Sequence, residues 1–351
     1  MSDVHFFNLI EWSKSQYSYL PWRVQRSLYR TLVSEIMLQQ TTVGTVLNHF
    51  ELFLKQYPTI FDLAKTSEEQ VCISWKGLGY YRRARSLRNI AIQIVEKYNG
   101  EIPTDQETLL KLKGIGPYTA NAIVAIGADL KGLAVDANLE RVLARFYGIK
   151  EVKGLKLQQK ISNDFNEEKI VKGIVKLGPR NLNEAFMDLG RIICQSRKAI
   201  CLLCPLKDNC MAFKSGKPLS FPIENEKIEK EVLFIKLLRV VVKEKNKILF
   251  YQKKDHEWLS GQWELPTFLL ETNDEQLKQY PKIKTKKIFN ETLILKTAIT
   301  KYKIINHVIE MDLNDFKQIS GKLEIDYVFK AHTSKLNLST TSIKVLKKII
   351  S

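Results

Sequence analysis

The stretch KLKGIGPYTANAIVAIGADLKGLAVD, from Lys111 to Asp136, constrains this chain more than any other. Gly114 and Gly116 flank a single apolar residue, and Pro117 follows at once. Glycine permits positive φ and close approach of a backbone, and proline suits the first position of a helix. The apolar run from Ala120 to Ala128 then reads as a buried helix. The spacing predicts a tight turn opening that helix, with free N–H groups pointing outward, an arrangement that binds anions and phosphate above all. By themselves the glycines favour an ordinary corner between helices. The segment Gly132-Leu133-Ala134-Val135-Asp136 then delivers a carboxylate to the start of a further helix, where capping is its commonest role.

The chain has 351 residues, enough for two or three domains. Its 55 basic against 38 acidic residues give a net charge of +17, which favours a polyanionic partner. The N-terminus MSDVHFFNLIEWSK lacks the pattern of a signal peptide, and no apolar run is long enough to span a bilayer. A soluble, intracellular protein with no membrane partner is expected. Four of the five cysteines fall in the spacing C-x6-C-x2-C-x5-C, at Cys194, Cys201, Cys204 and Cys210. In a reducing compartment such a group holds one compact ion or cluster rather than disulfides. Ligand chemistry alone leaves zinc and iron–sulfur both open. Cys72 stands apart and reads as a core residue.

Taken in order, residues 4–20 predict one helix, ended by Pro21-Trp22-Arg23. A second runs roughly from Val24 to Gln40, with Tyr29, Leu32, Val33, Ile36 and Met37 marking its buried face. Glu35 lies beside that stripe. A lone glutamate there is most often half-exposed, but an apolar wall would disfavour its charged form and let it donate a proton. Gln39-Gln40-Thr41-Thr42 closes the helix with more hydrogen-bonding groups than a cap needs. Thr45–Tyr57 and Phe61–Ile73 predict two further helices. In Gly77-Leu78-Gly79-Tyr80-Tyr81, two glycines precede two tyrosines, and Arg82, Arg83, Arg85 and Arg88 crowd the next helix. Rings beside guanidinium groups suit unstacked bases and phosphates. Helices are expected over Lys150–Pro179 and Asn183–Ile193, and a linker over Met211–Lys230. Beyond it the period changes: strands are expected at Val232–Val242, Lys247–Gln252, Ile283–Ile288, Thr292–Lys296, Tyr302–Met311 and Tyr327–Lys330, and a closing helix at Ser339–Ile350. Trp258–Pro266 reads as a loop.

Glu35 and Asp136 thus sit on separate helices, with a phosphate-grade turn between them in sequence. Splitting a glycosidic bond uses such a pair, one acid protonating the leaving group and one carboxylate steadying the oxocarbenium-like sugar. On a basic protein the expected sugar is deoxyribose and the expected leaving group a base pulled from the duplex.

The segments Ser34–Thr41, Gly77–Tyr81, Leu112–Ala120 and Val135–Asn138, with the four-cysteine loop, resemble the adenine DNA glycosylase (MutY) family of the helix-hairpin-helix glycosylase superfamily, closely over about residues 5–215. The resemblance implies a mostly α fold: a six-helix barrel domain with the helix-hairpin-helix over 21–133, and an iron–sulfur domain from 1–20 and 134–213. A linker over 214–230 and an α+β, Nudix-like lesion-recognition domain over 231–351 would follow. It implies hydrolysis of the N-glycosidic bond of adenine opposite 8-oxoguanine or guanine in double-stranded DNA, by a cytoplasmic, DNA-associated monomer. Glu35 would protonate adenine and Asp136 stabilise the sugar cation, supported by Tyr118 and Asn138. Arg23, Gln39, Gln40, Thr41, Tyr80, Gly114, Gly116 and His307 would meet DNA, with Gln40 and Tyr80 as wedges. The four cysteines would hold a [4Fe–4S] cluster. Oxidised-pyrimidine glycosylases of the endonuclease III type carry a lysine where Tyr118 stands, which argues for base removal without strand nicking. Those enzymes, and a non-catalytic iron–sulfur DNA-binding protein, are the alternatives. The Gly-x5-Glu and Arg-Glu-x2-Glu-Glu elements of a Nudix hydrolase are missing. Ile305-Asn306-His307 stands where the family usually has Phe-Ser-His. Ala137 replaces a usual glycine, and Glu140 places a negative charge where some members have lysine.

Overall fold

The computed structural model describes residues 4–225, 231–283, 291–320, 325–331 and 333–349. The chain divides into two compact units, Met1–Lys227 and Ile228–Ser351.

The first unit is helical. Its helices are Val4–Tyr17 (α1), Pro21–Val24 (α2), Leu28–Leu38 (α3), Val43–Gln56 (α4), Ile60–Lys65 (α5), Glu68–Ser74 (α6), Arg82–Tyr98 (α7), Gln106–Leu110 (α8), Pro117–Ala122 (α9), Ala137–Tyr147 (α10), Leu155–Asn166 (α11), Ile174–Leu177 (α12), Pro179–Ile192 (α13) and Met211–Lys214 (α14). Two apolar cores build it. One gathers Leu32, Val33, Ile36 and Met37 of α3 with Phe50 and Phe53 of α4 and Leu87, Ile90 and Ile94 of α7. The other gathers Leu9 and Ile10 of α1, Leu139, Val142 and Leu143 of α10, and Leu182, Phe186 and Leu189 of α13. The segment after the hairpin serves both: Ala120, Ile123 and Val124 enter the first core, Ala122 and Ile126 the second. Its apolar character on every side follows from that double burial. It widens into a π-helix over Ile123–Gly127, closed by the Ala128 N–H donating to the Ile123 carbonyl at 2.9 Å.

Several boundaries differ from expectation because small polar side chains cap where periodicity alone would run on. Ser27 accepts from the Arg30 N–H at 3.1 Å, so α3 starts four residues after Val24 and a separate short α2 precedes it. Ser67 caps α6 and divides the helix expected over Phe61–Ile73; such caps contribute about 1 kcal/mol each. The region expected to be a linker is bound to the first unit over much of its length. Phe221 is buried, its carbonyl accepts from Arg145 Nε at 2.9 Å, and the Lys153 N–H donates to the Ile223 carbonyl at 3.0 Å.

Among the described residues, the second unit is a mixed sheet with two α-helices. Its central strand is Leu233–Glu244 (β1), followed by Lys247–Gln252 (β2), Trp263–Glu264 (β3), Thr267–Thr272 (β4), Leu293–Ile299 (β5), Tyr302–Met311 (β6) and Val328–Lys330 (β7), with helices Leu313–Ser320 (α15) and Thr340–Ile349 (α16). The order is β3-β2-β1-β6-β5, with β4 also on β1 and β7 on β2. β1 runs parallel to β6 from Leu233↔Tyr302 to Val242↔Met311, and β5–β6 is an antiparallel hairpin. β4 and α15 were not expected from the sequence, and most of the strand expected at Ile283–Ile288 lies outside the described residues. The expected loop with two tryptophans contains β3. A buried charged group holds the sheet together. Arg239 reaches Glu264 at 2.5 Å, Asn306 at 2.7 Å and Thr267 at 3.1 Å, and Lys253 reaches Glu264 at 3.0 Å. Burial alone would raise the Glu264 carboxyl; Arg239 and Lys253 overcome that and hold it at about 2.

Candidate active site

The hairpin turn ahead of α9 is shaped by Gly114, whose φ is +108° and whose missing Cβ would lie 2.5 Å from Ser86 Oγ. Gly116 has no such need: its φ is −98° and nothing crowds it. It opens α9 and leaves the turn exposed. From the first turn of that helix Tyr118 reaches across to α3, where its hydroxyl donates to Glu35 Oε2 in a very short hydrogen bond.

Glu35 is 5% exposed. The half-exposed surface glutamate, the commoner reading of a lone Glu, is therefore not what folds here. Burial pushes its carboxyl from 4.5 up to about 7. The Tyr118 hydrogen bond and Arg23 oppose that rise, while the negative charges of Asp136 and Glu184 add to it. Asp136 and Glu35, 101 positions apart in sequence (136 − 35), therefore act on one another through space.

Asp136 is the N-cap of α10. Its Oδ1 accepts from the N–H groups of Asn138 at 2.8 Å and Leu139 at 2.7 Å, and its Oδ2 from Asn138 Nδ2 at 2.7 Å. Burial raises its carboxyl; those three donors and Arg141 pull it back. Asp136 is thus the cap that the commoner reading expects, at a helix N-terminus that stabilises negative charge. Gly190 on α13 permits this closeness, since a Cβ there would stand 2.6 Å from Asn138 Cβ.

A second pair of carboxylates, absent from the sequence reading, lies on α13. Arg23 pairs with Asp188 through two bonds of 2.8 and 3.0 Å and stands 3.5 Å from Glu184; Arg26 holds Glu184 at 2.7 and 3.0 Å. The only sequence signal was their spacing: Glu184 and Asp188 share one face of a helix whose other face is apolar. Arg23, expected on DNA, is consumed by this pair, with its side chain 8% exposed. Thr41 is also occupied internally, accepting from Arg83 at 2.8 Å. Gln39 donates to Thr119 Oγ1 at 3.4 Å. Gln40 and Tyr80 both adopt left-handed backbone, φ 55° and 49°, and Tyr80 is 65% exposed. A cleft of about 770 Å³ runs beside Tyr118, lined by Gln39, Gly114, Gly116 and Val135 and bounded by Asn163 of α11.

The arginine cluster on α7 departs from expectation. Arg83 is turned inward, Arg85 pairs with Glu68 at 3.6 Å, and Arg88 donates to the Thr66 carbonyl at 2.5 Å. Glu140 is a further departure: it accepts from the Gly154 N–H at 3.0 Å and from Gln158 at 2.7 Å, anchoring the start of α11. In the second unit, His307 Nδ1 meets Glu291 at 2.7 Å, and Asn306 is fully buried.

Cys194, Cys201, Cys204 and Cys210 line one small pocket together with Arg145 and Phe213, and none forms a disulfide. Arg145 donates to Cys194 Sγ at 3.2 Å, and Arg141 ties the Cys194 carbonyl, at 2.7 Å, to Asn138 at 2.9 Å. Burial pushes the Cys204 thiol up to about 12 and raises Cys201 and Cys210. Four thiols sharing one pocket fit a cationic guest that binds them as thiolates. Among the described residues no three such side chains close on a single ion.

Residues 33–167 match the model of the HhH-GPD superfamily base excision DNA repair proteins. The chain belongs to that superfamily. Among curated HhH-GPD relatives, it is 35% identical over 218 residues to an adenine DNA glycosylase of Buchnera aphidicola subsp. Baizongia pistaciae, covering 61% of this chain and 59% of that one. The adenine DNA glycosylase of Homo sapiens is 35% identical over 216 residues, 58% of this chain and 38% of its own length. That of Arabidopsis thaliana is 30% identical over 333 residues, 83% and 52%. The matches thus span between about two fifths and three fifths of these relatives. A thermostable thymine-DNA glycosylase superposes with a TM-score of 0.52 at 26% identity, over 60% of this chain and 96% of that one. A non-covalent endonuclease III–DNA complex shares the fold, with a TM-score of 0.50 at 22% identity over 62% and 98%.

Proposed function

We propose that this protein is a monofunctional adenine DNA glycosylase, cleaving adenine from duplex DNA where it is mispaired with 8-oxoguanine or guanine. The observation that carries the reading is the Glu35 carboxyl. Held at about 7 by burial beneath the Tyr118 hydroxyl, it is half protonated at neutral pH, while the Asp136 carboxylate lies within electrostatic reach. A general acid poised near the working pH, paired with an anion, is what breaking an N-glycosidic bond requires.

In this mechanism Glu35 gives its proton to a ring nitrogen of the flipped adenine. The glycosidic bond breaks and its electron pair departs with the base. Asp136, fixed by three donors, stabilises the positive sugar. Water adds at C1′ and passes a proton to a carboxylate. Tyr118 holds the Glu35 oxygen in place, and Asn138 holds Asp136. Tyr118 carries no amine, so no Schiff base forms and the strand stays intact. The exposed hairpin at Gly114 and Gly116 grips a phosphate. Gln40 and Tyr80 enter the duplex around the lesion, and Gln39 stands at the mouth of the cleft. His307, on the second unit, contacts the lesion strand. Cys194, Cys201, Cys204 and Cys210, which line one pocket, would hold a [4Fe–4S] cluster. Such a cluster supplies thiolate-bound iron that braces the loop and takes no part in bond cleavage. We place the protein with the DNA in the cytoplasm, as a monomer. Among the described residues no helix is long and apolar enough to cross a membrane.

A panel of duplexes, each with one lesion, tests this. Adenine should be released opposite 8-oxoguanine, with breakage only after hot alkali. Release of an oxidised pyrimidine, or nicking without alkali, would point instead to the endonuclease III type.

A further inference from the structure

Arg83, near the start of α7, meets five acceptors with one side chain. Its Nη1 donates to the carbonyls of Ile36 at 2.9 Å and Met37 at 2.7 Å, in the last turn of α3, the helix that carries Glu35. Its Nη2 donates to Thr41 Oγ1 at 2.8 Å and to the carbonyls of Leu78 at 3.0 Å and Gly79 at 3.2 Å. The Gly79 carbonyl also accepts from Trp75 Nε1 at 3.1 Å. The guanidinium lies 5.6 Å from the ring centres of both Trp75 and Tyr80.

One fork thus satisfies helix-end carbonyls that have no partner within α3, holds the turn that carries Gln40, and holds the turn that carries Tyr80. Both Gln40 and Tyr80 have left-handed backbone, which is strained for a non-glycine residue and persists only when neighbours enforce it. Neither turn has another cross-connection so dense: Thr41 Oγ1 to the Leu78 carbonyl, at 3.5 Å, is the long bond between them.

We propose that Arg83 is a positioning residue that clasps the Gln40 and Tyr80 turns into one unit, so that the two side chains enter the duplex together. The proposal rests on the glycosylase reading above and assigns Arg83 no contact with DNA. A planar guanidinium serves this, its two terminal nitrogens reaching two and three acceptors; a lysine ammonium cannot span all five and stack on two rings.

The test compares wild type, Arg83→Ala and Arg83→Lys in single-turnover assays on two duplexes. In one, the target adenine faces 8-oxoguanine; in the other it faces an abasic site, so no partner base resists its exit. Arg83→Ala should lose at least ~10-fold on the paired duplex and under ~3-fold on the unpaired one, with Arg83→Lys between. The slope of log Kd against log salt should not change in either variant, because no phosphate contact is lost. Equal loss on both duplexes, no loss on either, or a salt slope reduced by about one would overturn the role. Thermal melting of Arg83→Lys separates misfolding from mispositioning. A wild type inactive on both duplexes would instead remove the glycosylase reading itself.

Discussion

Replacing Glu35 by Gln should make the protein more stable, but only above the acid range. The carboxyl ordinarily titrates near 4.5 and is held near 7 in the fold. Between those values the folded protein binds a proton that the unfolded chain has released, so rising pH works against folding across that window. Above pH 7 the full cost is in place, ~3 kcal/mol at 1.36 kcal/mol per pH unit, and below pH 4.5 it vanishes. Glutamine is neutral throughout and still accepts the Tyr118 hydroxyl. Titrations of groups that do not interact with Glu35 are shared with the wild type and cancel in the difference, and the Glu35–Asp136 repulsion is part of the cost that glutamine removes. For a unit of this size ~3 kcal/mol corresponds to roughly 6–12 °C in Tm. Melting wild type and Glu35→Gln side by side at pH 5 and pH 8 should show nearly matched curves at pH 5 and a variant several degrees higher at pH 8. The variant should release no adenine at either pH. Wild-type turnover should fall about tenfold per pH unit above 7, as the proton donor empties. A Tm difference of equal size at both pH values would refute the reasoning, because the burial cost would then not be a charge cost.

Tyr118→Phe removes a donor that favours the Glu35 carboxylate, so the alkaline limb of the single-turnover pH profile should move up by roughly one pH unit or less, while Glu184→Gln should move it down. Cys204→Ser should abolish bound iron by elemental analysis and with it the visible absorbance shoulder near ~400 nm. In the second unit, Glu264→Gln leaves Arg239 and Lys253 without their buried counter-charge and should cost about 3–5 kcal/mol by denaturant titration.

The parts of the molecule legible in the sequence are those where chemistry and spacing coincide. Two glycines and a proline can make few things other than the turn before α9, and Asp136 sits where only a helix start follows. Four thiols within one loop, at Cys194–Cys210, are as plain. What was not legible depends on where a versatile side chain points. Arg82, Arg83, Arg85 and Arg88 look alike in a string of letters, yet Arg83 finds five acceptors indoors while Arg82 remains exposed. Glu184 and Asp188 carry no signal in the sequence beyond their shared helix face. Their importance arises only because Arg23 and Arg26, some 160 positions earlier, fold against them. β4 was missed because its register with β1 shifts at Lys236/Leu237, which blurs the alternation that marks a strand.

The strand β6 has a consequence for how this protein can change over generations. Asn306 is walled in, its carboxamide divided among Arg239, the Leu295 carbonyl and Thr297. Its neighbours Ile305 and His307 are partly open to solvent. Mutation can therefore sample new surface chemistry at 305 and 307 without disturbing the core, at 307 with loss of the Glu291 contact, whereas any drift at 306 must first satisfy a buried arginine. A lineage that reshapes this strand has two letters to write with, not three.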